Sequence, residues 1–235
     1  MTRGARVALV LLAVAGCSSL DELADGVIAL EVRPPDPPII EFGDTATFSA
    51  RALDENGDSV EADIRWVTPD TTLTIVDTAA GLVAGRYPAV TGRVQAQLGS
   101  LQGGFTTLTV EARADTIIVP ETVPDSVEAD ETVSNPLVAR LETFDPAGPL
   151  AGRSLIFEIV APTFGDPAAR TVELSNGALA DTVQTAADGT PSSPVVVQRL
   201  AGVVPPASVT VQVRSVQRRG TPVPGSGQAF TVLFF

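Results

Sequence analysis

Cys17 is the only thiol in a chain of 235 residues, and it stands directly after Val14-Ala15-Gly16 at the end of an apolar run. A single cysteine closes no intrachain disulfide, and a cysteine packed as a small hydrophobe belongs in a later periodic segment. What precedes Cys17 reads differently: Arg3 and Arg6, then Val7 to Val14 almost wholly apolar, then a small pair. That is the plan of a secretory signal peptide, too short for the roughly 20 residues of a membrane-spanning helix. Two acidic groups and one basic pair are the other residues with chemistry in their types. Asp54, Glu55, Asn56 and Asp58 surround Gly57, and Glu121, Asp125, Glu128, Asp130 and Glu131 fall in a stretch with no arginine between Arg113 and Arg140. Arg218-Arg219 is the basic pair in an otherwise acidic protein.

These groups bound the function more than they define it. A general base working near neutral pH is most often histidine, and the chain has none. The sequence also lacks a Gly-x-Ser-x-Gly elbow, a phosphate loop, a dinucleotide fingerprint and any Cys/His set with zinc spacing. Paired carboxylates alone suffice for glycoside hydrolysis, but the acids sit in turns or on outward strand positions. Nine Phe, one Trp and one Tyr leave little for sugar platforms. The Asp54 turn fails as an EF-hand loop, because glycine is fourth instead of sixth and the twelfth position is Arg65. It reads as a solvated hairpin turn. The acidic stretch from Glu121 to Glu131 lies where two domains would join, so calcium held by Asp125, Glu128, Asp130 and Glu131 is an alternative to a plain extended spacer.

Val14-Ala15-Gly16-Cys17 resembles the lipobox of the bacterial lipoprotein family: an apolar residue, two small residues and cysteine. The resemblance implies cleavage before Cys17, covalent lipid on that residue and attachment to a membrane. Ser18 in the next position resembles members that move on to an outer membrane. Removal of residues 1–16 takes away Arg3 and Arg6 and leaves 13 arginines against 28 acidic residues, a net charge of −15. There is no lysine. Such a chain does not bind nucleic acid through phosphate neutralisation.

The segments that must carry these residues alternate with the period of strands. In TATFSARA (45–52), Ala46, Phe48, Ala50 and Ala52 share one face and Thr47, Ser49 and Arg51 the other. Asn56-Gly57 then supplies the positive-φ pair that a tight hairpin needs, and EADIRWV places Ala62, Ile64 and Trp66 on one face. That phase makes Trp66 a core anchor and not a ligand platform. Runs at 73–76, 81–85, 93–98 and 106–110 alternate similarly, with turn residues between them. The second half repeats the plan loosely: 137–160 sets against 48–67 as strand, polar turn, strand. The C-terminal FTVLFF ends in Phe like many outer-membrane barrels, yet the strands are too short for one and face outward with Thr, Gln, Arg and Glu. It reads as a final sandwich strand.

Residues 26–112 resemble the bacterial Ig-like domain of group 2 through IALEVRPPDPPIIEFGDTATFSA, ALDENGDSV, IRW, IVDTAAGLVAG, RVQAQLG and FTTLTVEA. A longer turn at RYPAVTG departs from that pattern. TAADGTPSSPVVV followed by PPASVTVQV resembles the group 1, invasin and intimin type. The expected organisation is therefore all-β: signal peptide 1–16, lipid-anchored tether 17–25, and two tandem Ig-like β-sandwiches at 26–112 and 113–235. The expected function is a non-enzymatic spacer or interaction module of the bacterial cell envelope, without cofactor beyond the lipid on Cys17. An adhesin or carbohydrate-binding role through second-domain loops is the alternative. Its contact surface would be the loops 161–169 and 217–227 with Arg218 and Arg219, meeting an envelope protein or a glycan.

Overall fold

The computed structural model describes residues 26–120, 124–166 and 169–235; Cys17, the leader and the tether lie outside the described residues. The first half folds through β1 (Ala29–Arg33), β2 (Ile39–Glu41), β3 (Thr45–Thr47), β4 (Ser49–Leu53), β5 (Ser59–Val60), β6 (Arg65–Val67), β7 (Leu73–Asp77), β8 (Leu82–Gly85), β9 (Val90–Leu98), β10 (Leu101–Gln102) and β11 (Thr106–Glu111). One layer runs β10-β9-β11-β2, with β6 also paired to β9. The opposite layer consists of β1-β4-β5 and β3-β8-β7.

The alternation over 45–52 holds its phase, because Ala46, Phe48 and Ala52 are buried while Thr47, Ser49 and Arg51 are exposed. The run is nevertheless two strands. At Phe48 the chain leaves its pairing with β8 and takes up pairing with β1, so one apolar face serves two sheets. Trp66 on β6 is 2 % exposed and packs on Phe48 with ring centroids 5.6 Å apart. Gly81, with φ +68°, lets the turn before β8 close over both: a Cβ there would collide with the Phe48 carbonyl and sit 2.7 Å from Trp66 Nε1.

The second half contains β12 (Thr116–Ile118), β13 (Asp125–Val127), β14 (Arg140–Phe144), β15 (Ala147–Pro149), β16 (Ser154–Ala161), β17 (Val172–Leu174), β18 (Ala180–Gln184), β19 (Val197–Arg199), β20 (Ser208–Arg214) and β21 (Gln228–Phe234). Its layers are β13-β21-β20-β16-β18 on one side, and β12-β14-β15 with β17-β19 on the other. The plan is used twice. In each half a short early strand pairs in parallel with the last one, β2 with β11 and β13 with β21. The architecture is two Ig-like β-sandwiches in tandem, with no α-helix among the described residues.

Each sandwich has its own core. Phe48, Trp66, Leu73, Val83, Val94 and Leu108 fill the first, and Ile117, Leu141, Leu155, Phe157, Val211 and Phe230 fill the second. Of the acidic stretch expected as an extended spacer, the described residues from 124 onward belong to the second sandwich. Asp125–Val127 is a strand, and Val127 is fully buried with Ile117 in that core. Two apolar side chains outweigh the surrounding carboxylates, of which Glu128, Asp130 and Glu131 are exposed and Asp125 is half-buried. FTVLFF supplies β21, an interior strand between β13 and β20.

Candidate functional site: an ionic junction between the sandwiches

Only residues 112–115 separate β11 from β12, so the end of the first sandwich abuts the start of the second. The parallel pairing of β2 with β11 sets Glu41 opposite Glu111 at that end. Like charges opposed on neighbouring strands repel, and Glu41 is fully buried. Both therefore need cations, and the second sandwich provides them. Arg153 donates Nη2 to Glu41 Oε1 and Nη1 to Glu111 Oε2, the latter at 3.0 Å. Arg218 takes Glu111 in a two-pronged pair, Nε to Oε2 at 3.0 Å and Nη2 to Oε1 at 2.9 Å, while its backbone N donates to Glu41 Oε2 at 3.1 Å. Arg219 extends the contact outward, with Nε 3.2 Å from Asp44 Oδ2 and Nη2 donating to the Thr45 carbonyl.

The arginines are placed by rigid backbone. Arg153 precedes β16, and its N–H donates to Thr185 Oγ1 at 3.0 Å, which in turn donates to the Leu150 carbonyl at 2.6 Å. Arg218 and Arg219 ride a tight turn between β20 and β21, closed by Gln217 N to Thr221 O at 2.8 Å, with Gly220 at φ +81°. Gln217 also donates Nε2 to the Ala114 carbonyl at 2.9 Å, which ties the same turn to the connecting segment.

Chemically the junction is saturated. Each carboxylate oxygen of Glu41 and Glu111 accepts from a donor of the second sandwich, leaving none poised for proton transfer or nucleophilic attack. A groove of about 550 Å³ runs beside it. Apart from Glu111 and Arg153, bonded to one another, its lining is uncharged: Val90, Val110 and Leu150 among others.

The residues singled out in the sequence separate into four groups. Arg218 and Arg219, expected on a free outward surface, lie instead against the first sandwich. The four candidate calcium ligands are not drawn together. Asp125 accepts from the backbone and side-chain nitrogens of Asn135, both at 2.7 Å, and Glu131 Oε2 accepts from Glu128 N at 3.1 Å. Among the described residues no group of three or more His, Cys, Asp or Glu is placed to hold a metal. Glu121 and Cys17 lie outside the described residues. In the hairpin, Asp54 Oδ1 accepts from Asp58 N and Asn56 N, both at 2.9 Å, and the Asp58 amide above all holds its carboxyl below the ordinary aspartate range. Glu41, Glu111 and Arg153 went unnoticed in the sequence. The one signal was the carboxylate inside the apolar run Ile39-Ile40-Glu41-Phe42.

No protein-family profile matches the chain, and no curated protein matches it. Among solved structures it is similar to the Yersinia pseudotuberculosis adhesin InvE at 18 % identity and a TM-score of 0.41, an alignment covering 90 % of this chain and 61 % of the adhesin. The D00-D0 domain of intimin aligns at 16 % identity and a TM-score of 0.31, covering 88 % of this chain and 99 % of that one. Fibronectin(III)-like modules of Clostridium thermocellum CbhA align at 12 % identity and a TM-score of 0.38, covering 87 % and 94 %. The fold described above rests on this chain's own strand pairing and cores.

Proposed function

We propose that the chain is a non-enzymatic lipoprotein of the bacterial cell envelope, tethered through Cys17 and acting as a stiff two-sandwich spacer. The observation that carries this reading is the junction. The buried Glu41–Arg153 pair and its neighbours Glu111 and Arg218 are used up in fixing one sandwich against the other. Ten residues from Cys17 to Val27 reach at most about 35 Å, so the first sandwich stands close to the membrane. Its hairpin at 54–58 lies on the tether side, where Ile28 N bonds the Leu53 carbonyl, and the junction lies at the opposite end. The second sandwich then projects away from the bilayer. Ser18 favours the outer membrane, and the acidic excess limits adhesion of the domains to anionic lipid.

The interaction half of the reading moves to the far end of the second sandwich. There Val204 is 86 % exposed in the loop between β19 and β20, whereas Arg218 and Arg219 of the 217–227 loop are engaged by the first sandwich. An envelope protein or glycan would meet the former. The anchor is tested by labelling cells with palmitate. Label should enter the wild type and not Cys17→Ala, which should leave the membrane fraction, since stable attachment takes more than one acyl chain. Absence of label from the wild type, or a membrane-bound Cys17→Ala protein at high salt, would overturn the lipoprotein assignment.

A further inference from the structure

The chain contains two Asn-Gly dipeptides, Asn56-Gly57 and Asn176-Gly177, each in an exposed turn. Glycine lacks a Cβ, so a following glycine nitrogen approaches the asparagine side chain with least hindrance. The fold treats the two differently. The Asn176 side chain is held at both ends of its amide, Nδ2 donating to the Ala180 carbonyl at 2.9 Å and Oδ1 accepting from Ala178 N at 3.0 Å. At Asn56 the backbone N donates to Asp54 Oδ1 at 2.9 Å and the side-chain amide has that same Asp54 carboxylate as its one partner, so the second anchor that Asn176 has is missing. Gly57 has φ +82° and Gly177 φ +78°, each with nothing within 4 Å of where a Cβ would stand, so the two sites differ in how the asparagine side chain is held and not in space at the glycine. Gly57 N, which donates to the Asp54 carbonyl at 3.0 Å and also interacts with the Asp54 carboxylate, must be released, in a hairpin closed by the two residues of β5.

From this contrast we infer that Asn56 is a site of spontaneous deamidation, with water as the reactant, and that the fold protects Asn176. Gly57 N gives up its proton to solvent base and attacks Asn56 Cγ. The new N–Cγ bond forms as the Cγ–Nδ2 bond breaks, and Nδ2 leaves as ammonia. Water then opens the five-membered imide: addition at Cγ gives aspartate, addition at the backbone carbonyl gives isoaspartate. One water is consumed, one ammonia released, and nothing is oxidised or reduced. Either product adds a carboxylate beside Asp54, Glu55 and Asp58. Isoaspartate also inserts a methylene into the turn that sets Leu53 opposite Ser59 and Ala52 opposite Val60. This inference is independent of the spacer reading.

The test is a time course of the full chain in mildly alkaline buffer, with peptide mapping by mass spectrometry, beside a short synthetic peptide spanning 51–61 and the same protein in urea. Asn56 should convert in the folded protein at a rate close to that of the peptide. Asn176 should convert several-fold more slowly when folded and lose that protection in urea. Asn56→Gln should abolish the early product without changing the circular dichroism of the fold. An Asn56 still amidated when the peptide has converted overturns the inference, as does conversion of Asn176 in the folded protein as fast as Asn56.

Discussion

Glu41 and Glu111 stand opposite one another in register at the ends of β2 and β11, and the guanidinium of Arg153 bonds to both. Neither strand needs an acid there for its own sandwich. The pair makes sense only with the second sandwich in place, because its arginines cancel a repulsion that the parallel register creates.

Removing one partner of such a buried set leaves a charge uncompensated. Arg153→Ala should therefore lower the unfolding free energy by about 3–5 kcal/mol in urea titrations. The double variant Glu41→Leu plus Arg153→Leu should recover most of that loss, since apolar groups of similar volume replace a buried ion pair at little cost. A double variant as unstable as the single one would show that the residues matter for something besides their charge.

Arg219 offers the contrast. Its side chain is about half exposed and its partner Asp44 lies at the rim, so Arg219→Ala should cost less than about 1 kcal/mol and should lose that effect in high salt. Arg218→Ala should cost more, because Arg218 grips Glu111 with two nitrogens. Equal losses in urea titrations of the two variants would contradict this ranking.

Gly81 predicts a loss of another kind. Alanine there meets the Phe48 carbonyl and the Trp66 ring at a backbone angle that disfavours any side chain, so Gly81→Ala should destabilise the first sandwich by about 1–3 kcal/mol. Tryptophan fluorescence reads it directly, because Trp66 is the sole tryptophan.

Acid should uncouple a surface brace of the first sandwich. The Arg93 guanidinium, then the Arg93 backbone N–H, holds the Asp70 carboxyl below the ordinary aspartate range. The unfolded chain thus takes up this proton first as pH falls. The brace is fully present above the ordinary aspartate pKa and is lost as pH drops through the lowered folded value. Asp70→Asn should be less stable than the wild type at neutral pH, and the gap should close on acidification through that window. A gap independent of pH would refute the assignment.

Strand phase was legible where one face of a strand is buried and the other wet, as at Ala46, Phe48 and Ala52. The burial of Trp66 follows from the same alternation, and the Asn56-Gly57 dipeptide marks the turn, although only Gly57 and not Asn56 takes the positive φ expected of the pair. The junction was not legible, for a physical reason. Ile40 and Glu41 are adjacent and both buried, Ile40 toward the core and Glu41 toward the second sandwich, so the period of two carries no information there. Arg218-Arg219 was conspicuous as the basic pair of an acidic chain, yet a sequence does not say whether such a pair faces a partner or its own neighbouring domain. The split at Phe48 was hidden because a strand that changes sheets keeps its alternation.

The most direct test of the stiff spacer is the distribution of distances between the two sandwiches. Spin labels are placed on exposed strand positions by Thr74→Cys and Ala229→Cys in a Cys17→Ala background, and read by pulsed dipolar spectroscopy. The account predicts one narrow distance in the intact junction that persists in moderate salt, and a broad distribution once Arg153→Ala and Arg218→Ala are added. A broad distribution with the junction intact would contradict it.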